Sequence, residues 1–203
     1  MTLLALMLFA TTMIYWSFRP DVNFLLSKQN LVDYFPWRFA FYVHIAGGML
    51  SIASGPFQFI NTIRKRFPAF HRHLGKVYAA SILLIGAPTG LYMAFFANGG
   101  WPASIGFVLM ALLWFHTTLR GIQTIRKGNI ASHKRWMTRS FALTFSAVTL
   151  RLWVPVLSLY SELSPLSVVI ITAWISWLFN LLFVELLFKL KTINIYQHEN
   201  ITA

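Results

Sequence analysis

The feature that most constrains this chain is a succession of long apolar stretches. A helix needs about 20 apolar residues to cross a hydrocarbon core of roughly 30 Å. Stretches of about that length fill nearly the whole 203-residue sequence: 2–18, 37–62, 69–97, 102–125, 134–160 and 165–188. Only short loops remain between them. The sequence therefore predicts an all-α fold, a single integral membrane domain over residues 1–203 with six transmembrane helices.

The basic residues predict how these helices are oriented. Charged residues make up only 11% of the chain, yet the net charge is +12. Lys and Arg cluster after the second, fourth and sixth stretches, on one side of a six-helix bundle, and such loops stay cytoplasmic. We therefore expect a multi-pass protein of the bacterial inner membrane with both termini in the cytoplasm. Topology and contact with anionic membrane lipids explain the charge, and no nucleic-acid-binding motif is present.

Five ionisable side chains lie within the predicted spans or at their starts: His44, His71, His116, His133 and Arg151. Ionisable groups are costly in hydrocarbon, so each of these residues is a candidate functional residue. The chain has no cysteine, which excludes disulfides, thiolate metal sites and iron–sulfur ligation by this chain.

Helical periodicity indicates which of these side chains face the bundle. His71 and His73 lie about 200° apart on a helix, so only one of them can point inward. The His71 face continues through small and polar residues, namely Gly75, Tyr78, Ala79, Ile82, Gly86, Thr89 and Gly90. We predict that His71 faces inward and that His73 lies at the membrane interface.

Two further helix faces carry polar stripes. One runs from His133 to Arg151, a rise of roughly 27 Å, through Trp136, Met137, Ser140, Thr144 and Ala147. The other starts at His44 and continues through Gly47, Gly48, Ser51, Ser54, Gly55 and Gln58. Small residues let another backbone or a flat cofactor approach closely, so both stripes are predicted to face the bundle.

Four motifs contain most of these residues: His44 with Gly55-Pro56-Phe57-Gln58-Phe59, His71-Arg72-His73-Leu74-Gly75-Lys76-Val77-Tyr78, His133-Lys134-Arg135-Trp136-Met137-Thr138-Arg139, and Thr149-Leu150-Arg151-Leu152. In these motifs the chain resembles a family of bacterial membrane proteins, the domain of unknown function 2306. The core of the resemblance is 37–160, and the first helix, 2–18, and the last, 165–188, are peripheral to it.

The family resemblance bears on one histidine but implies no activity. Its pattern H-R-x-x-G-[RK]-x-Y favours His71 over His73, and Lys76 stands where arginine is the commoner residue. A looser similarity is to the two-haem membrane cytochromes of the b561 kind. That similarity implies six spans, with histidine pairs on the second and fourth and on the third and fifth helices.

The depth of the histidines favours one haem b. His71 and His133 each lie in the first turn of a helix that starts on the cytoplasmic side, so we expect both to ligate the haem iron. Arg72 and Arg139 lie nearby and are candidate partners of the haem propionates. The resulting hypothesis is an integral membrane electron-transfer protein, an oxidoreductase of cytochrome b type if it is an enzyme.

His44 and His116 are candidate cofactor residues at other depths. Counted from the inner ends of their helices, they lie roughly 28 Å and 16 Å up, which is too far apart for a second haem. His44 instead matches the depth of Arg151, which has no acidic neighbour in the sequence of the adjacent spans. We therefore expect an outer pocket for an anionic or carbonyl-bearing ligand, such as a quinone.

Two alternatives to electron transfer remain open. The polar stripes are also consistent with a lipid- or solute-binding or transport protein without a redox cofactor, although the chain shows no internal repeat. The histidines are also consistent with a metal-dependent membrane enzyme. Five acidic residues in the whole chain provide few carboxylate ligands for such a site.

Overall fold

The computed structural model of the protein describes the backbone of residues 10–160 and 162–201, and the side chains of 10–159 and 162–190. Within these residues it is helical without any strand. From residue 35 onward the α-helices are α1 Phe35–Ser54, α2 Asn61–Arg66, α3 Pro68–Ala94, α4 Gly100–Arg126, α5 Ile130–Thr144, α6 Ser146–Tyr160 and α7 Pro165–Ile201. Short 3₁₀ segments cover Ile14–Ser17, Asn23–Lys28 and Pro56–Phe59.

Four helical segments are long and apolar enough to cross a membrane. They are Pro68–Ala94, Gly100–Arg126, Ile130–Leu159 and Pro165–Leu190, with mean hydropathy between 1.5 and 2.1. They confirm the last four predicted spans. The first predicted span, 2–18, falls mostly on residues outside the described part of the chain. The six-span arrangement and the cytoplasmic termini therefore stay predictions.

The second predicted span, 37–62, extends beyond the end of the helix in the structure. Its helix, α1, ends at Ser54, and the chain then passes through the Pro56–Phe59 turn into the short helix α2. Pro56 explains this end, because proline has no backbone N–H and its ring clashes with the carbonyl four residues earlier. Ile60, at φ −78° and ψ 112°, is extended and completes the break. Because of this break, Gln58 lies outside helix α1.

Helix α3 contains a π-helical segment at Ser81–Gly86, directly before Pro88. Pro88 cannot donate a hydrogen bond to the carbonyl of Leu84, and π segments often accommodate such interruptions. The span that contains α5 and α6 is also interrupted, at Phe145, where a turn separates the two helices. Both long spans therefore contain an interruption of the regular α-helical hydrogen bonding.

Aromatic rings packed on glycines form the centre of the bundle. Tyr78, Ile82, Trp114 and Leu143 are at most 5% exposed. A Cβ on Gly86 would come within 2.9 Å of the Trp114 ring, so the glycine is what allows this contact. In hydrocarbon such close van der Waals packing, together with interhelical hydrogen bonds, holds helices together.

The segment between residues 14 and 34 packs against the ends of α1 and α3. Tyr15, Trp37 and Phe41 form a buried aromatic cluster, with the Trp37 and Phe41 rings stacked at 5.5 Å. Lys28 is only 4% exposed and donates a hydrogen bond to the carbonyl of Phe96, just past the end of α3. Asn98 donates to Ser27 Oγ at 2.8 Å. This segment is thus a fixed part of the fold.

Candidate functional site

His71 and His133 each lie at the start of a long helix, within electrostatic range of each other. His71 lies in the first turn of α3 and His133 in the first turn of α5, and the two imidazoles are near enough to interact electrostatically. Both are partly buried, whereas His73 is exposed and bonds to the Ala69 carbonyl of its own helix at 2.9 Å. The predicted inward direction of His71 is confirmed.

Gln58 determines which ring nitrogen of His71 carries the proton. The Gln58 amide is oriented so that both its nitrogen and its oxygen have hydrogen-bond partners. Its nitrogen then donates to His71 Nδ1 at 3.0 Å and to the His71 carbonyl at 3.2 Å. Its oxygen accepts from the Gly75 N–H at 3.2 Å. A Cβ on Gly75 would lie within 3.1 Å of the Gln58 amide group, so the glycine makes room for this amide. In this arrangement Nδ1 of His71 is an acceptor and Nε2 carries the proton.

His133 has the opposite arrangement. Its Nδ1 lies 2.8 Å from the carbonyl oxygen of Gly121 on α4. A carbonyl can only accept, so Nδ1 of His133 carries the proton and Nε2 presents a lone pair. Histidine ligands of metals are usually held in this way, with the second nitrogen donating to a carbonyl.

Of the two arginines that the sequence singled out, Arg72 lies near this pair and Arg139 does not. Arg64, on α2, acts electrostatically on His71 together with the exposed Arg72. Arg139 is occupied elsewhere, because it forms a two-pronged ion pair with Glu185 at 2.5 Å and 2.9 Å. It also lies over the ring of Trp136, 4.8 Å from the centroid. Arg64, which donates to Asn61 at 2.6 Å, and Arg72 are therefore the arginines that act on His71, and Arg139 joins α5 to α7.

The structure places His116 and His44 in separate surroundings. His116 is exposed on α4, with its ring edge-on to Trp136 at 5.7 Å. His44 packs into α3, where its Nδ1 lies 2.9 Å from the Gly86 carbonyl and Gly90 makes room for its ring. No contact joins the two histidines in the described part of the chain, so this structure contains no second histidine pair.

His44 is instead a neighbour of Arg151. The two side chains are within electrostatic range, and Arg151 is also within range of Tyr15. Arg151 is partly buried, and one of its nitrogens donates to the Ala147 carbonyl at 2.9 Å. The outer pocket predicted for His44 and Arg151 stays a prediction, and Tyr15, within electrostatic range of Arg151, is a residue that the sequence did not indicate.

A buried hydrogen-bonded network lies on the polar stripes that continue from His71 and His133. Tyr78 contacts Ser140 at 3.0 Å and Thr144 at 2.9 Å. Thr144 also accepts from the indole N–H of Trp114 at 2.9 Å, and Thr118 meets Ser140 at 2.7 Å. All five side chains are at most 5% exposed. The inward direction of the Ser140 and Thr144 stripe is confirmed, and its hydroxyls are satisfied by one another.

The number of ligands at the histidine pair limits its chemistry. Within the described residues no three His, Asp or Glu side chains come together as a metal site would require. His71 and His133 offer two imidazoles, which is the number that a six-coordinate haem iron takes from a protein. His133 Nδ1 faces a carbonyl oxygen, so its Nε2 presents a lone pair, whereas Nδ1 of His71 accepts from Gln58.

The sequence did not point to Gln58 as a partner of His71. The signal was the Gly55-Pro56 pair within the motif, because a helix break is what carries Gln58 across to α3. The contribution of Gly121 is a backbone carbonyl, and no side-chain pattern could reveal it.

Comparison with known proteins agrees with the motifs. A family model described as a predicted membrane protein, DUF2306, matches residues 41–188. The match includes most of α7, which lay outside the expected core of the resemblance. No curated protein and no solved structure matches, so the similarity to b561-type cytochromes finds no support. The matched region spans well over half of the sequence, and the chain belongs to the DUF2306 family of predicted membrane proteins.

Proposed function

We propose that this protein binds one haem b between His71 and His133 and carries electrons in the membrane. The observation that supports this function is that two imidazoles, on α3 and α5, are within electrostatic range of each other in helices apolar enough to span the bilayer. Bis-histidine ligation of a haem needs two such side chains from facing helices.

Each residue near the pair has a role in this proposal. The Gly121 carbonyl fixes the His133 ring with its Nε2 lone pair free. In this proposal the Gln58 amide is rotated, so that its oxygen accepts a hydrogen bond from Nδ1–H of His71. Nε2 of His71 then presents a lone pair as well. Arg64 and Arg72 supply positive charge for the propionates. When bound, the haem would supply reversible one-electron chemistry, and a quinone dissolved in the same membrane is the partner class we propose for it.

The absorption spectrum of the purified protein tests this function. Protein expressed with ample haem should show a Soret band and a low-spin b-type spectrum, with about one haem per chain. His71→Ala and His133→Ala should each abolish this spectrum. His73→Ala is the matched control, because His73 lies on the same helix but is exposed, and it should keep the haem. A colourless wild-type protein would refute the proposal.

The orientation of Gln58 favours a second candidate function, the binding of a lipid or solute without a redox cofactor. In this orientation His71 presents an N–H and His133 a lone pair, so the two imidazoles offer one donor and one acceptor. Such a pair suits a ligand with both a carbonyl and a hydroxyl group. Gln58→Glu separates the candidates. Its carboxylate can only accept, so it holds the His71 tautomer that haem binding needs, whereas solute binding should weaken because Nε2 of His71 no longer presents an N–H.

A further inference from the structure

One face of α1 is left open by the part of the bundle that the structure describes. The other face packs on α3, where a Cβ on Gly47 would come within 3.0 Å of the Gly86 backbone and His44 bonds to the Gly86 carbonyl at 2.9 Å. The open face carries Phe35 and Phe39, with stacked rings that are 66% and 58% exposed. Exposed apolar patches mark surfaces that contact a ligand, a protein or the membrane.

The segment before α1 turns this face into a groove. Trp16 and Phe18 stand against Tyr42 of α1, with their ring centroids 6.3 Å and 5.0 Å from that of Tyr42. The indole N–H of Trp16 donates to Met49 Sδ at 3.5 Å, which holds this wall in place. The α1 side of the groove consists of Phe35, Arg38, Phe39, Tyr42, Val43 and Ala46. The groove has a volume of about 570 Å³, which is in the range of small-molecule sites.

Phe18 is held at this wall by an unusual backbone conformation. Its φ of 55° and ψ of 16° lie in the left-handed region, where a bulky side chain is rare. The ring nevertheless stays 63% exposed, so its own burial does not offset this strain. Strained residues cluster where a ligand is held. A ligand in the groove would cover the Phe18 ring.

Arg38 gives the groove a positive charge at one end. It lies in the first turn of α1 and is the charged residue of the lining. The ion pairs in the described part of the chain join Arg19 to Asp21 and Arg139 to Glu185, so no carboxylate there pairs with Arg38. The lining between Arg38 and the end at Ala46 is uncharged and mostly apolar over eight residues, about 12 Å along the helix.

We propose that this groove binds one anionic phospholipid, with its phosphate at Arg38 and one acyl chain along α1 toward Ala46. The guanidinium donates charge-assisted hydrogen bonds to phosphate oxygens, and the aromatic wall contacts the chain. A neutral lipid would fill the apolar length but would leave the charge of Arg38 without an anion. The groove follows the first half of α1, whereas Gln58 and the histidine pair follow its end, so this proposal does not depend on haem binding.

The fluorescence of Trp16 tests the proposal with the full chain in phosphatidylcholine nanodiscs. Bromine atoms on an acyl chain quench a neighbouring indole, and the signal of Trp16 is the difference between the protein and the same protein with Trp16→Phe. About one lipid in ten carries brominated chains. Brominated phosphatidylglycerol should occupy the groove in about a third of the molecules and brominated phosphatidylcholine in about a tenth, because one arginine favours an anionic headgroup about fivefold.

Substitutions then locate the site. Arg38→Gln should lower the quenching by brominated phosphatidylglycerol about threefold, to the level of brominated phosphatidylcholine. Ala46→Phe fills the groove without changing its charge and should lower the quenching by both lipids, so it serves if the glutamine variant does not fold. Arg120→Gln is the matched control, since Arg120 is an exposed arginine within α4 and its loss should leave the quenching of Trp16 unchanged.

Four results would overturn the proposal. Equal quenching by the two brominated lipids would show that the groove does not select an anionic headgroup. Unchanged quenching in both Arg38→Gln and Ala46→Phe would place the lipid outside the groove. Loss of the preference on addition of inorganic phosphate would show that Arg38 binds a small anion from water. Absence of quenching by either lipid would exclude a lipid, and a dimer that Ala46→Phe dissociates would then identify a second copy of the chain as the occupant.

Discussion

Individual glycines decide how the histidines are held. Gly75 admits the Gln58 amide to the backbone of α3, and Gly90 admits the ring of His44. Gly121 contributes its carbonyl to His133, and a Cβ there would collide with Met137, one turn along α5 from that histidine. A side chain at any of these positions would occupy the space that now positions an imidazole.

Gly75→Leu should therefore displace Gln58 and destabilise the protein by about 1–3 kcal/mol, the usual cost of overpacking. Ala80→Leu, at an exposed position on the same helix, should change stability by less than about 0.5 kcal/mol. Thermal unfolding in detergent measures both. An equal effect of the two substitutions would mean that the contact between Gly75 and Gln58 does not contribute to stability.

Lys28 predicts a pH dependence of stability outside the spans. Burial lowers the pKa of the Lys28 ammonium from its usual 10.5. The unfolded chain then binds more protons than the folded protein between the lowered pKa and 10.5, so stability rises with pH through that interval. Lys28→Met removes this contribution. The Tm of wild type relative to the variant should increase by about 2 °C toward the upper end of the interval, and a constant difference would contradict the prediction.

At the scale of helices, the breaks matter more than the regular segments. The end of α1 at Ser54 transfers Gln58 from the α1 face to the start of α3. The interruption at Phe145 separates the half of the fifth span that carries His133 from the half that carries Arg151. His133 and Arg151 thus lie on successive helical segments, although one polar stripe connects them in sequence.

Pro56→Ala should extend α1 and withdraw residue 58 from α3. The chain has no cysteine, so a pair of introduced cysteines reports on this distance without background. A short bismaleimide should cross-link Gln58→Cys to Gly75→Cys efficiently, and adding Pro56→Ala should reduce the yield several-fold. Gln58→Cys with the exposed Ala80→Cys is the control pair. An unchanged yield would show that proline is not the cause of the break.

For the whole molecule, reporter fusions can show how many spans cross the membrane and on which side each loop lies. Four spans between residues 68 and 190 place the segments before and after them on the same side. If the 2–18 and 37–62 regions also cross the membrane, residues near Asn30 lie on the opposite side.

A periplasm-active reporter fused after Asn30 should therefore be active, and one fused after His198 should be inactive. A fusion after Gly128, in the loop between α4 and α5, should behave like the His198 fusion and serves as the internal control. The same signal after Asn30 and His198 would exclude the six-span arrangement and leave the four long spans.

The sequence by itself determined the long spans and the inward faces, because both depend on short-range periodicity of hydrophobic residues along one helix. It correctly placed His71, Ser140 and Thr144 toward the interior. It did not predict that His116 faces outward against Trp136, that Arg139 pairs with Glu185, or that Tyr15 lies near Arg151. These contacts depend on which helices are neighbours and how they break and rotate against each other. Side chains far apart in the sequence decide that together, so only the tertiary structure shows it.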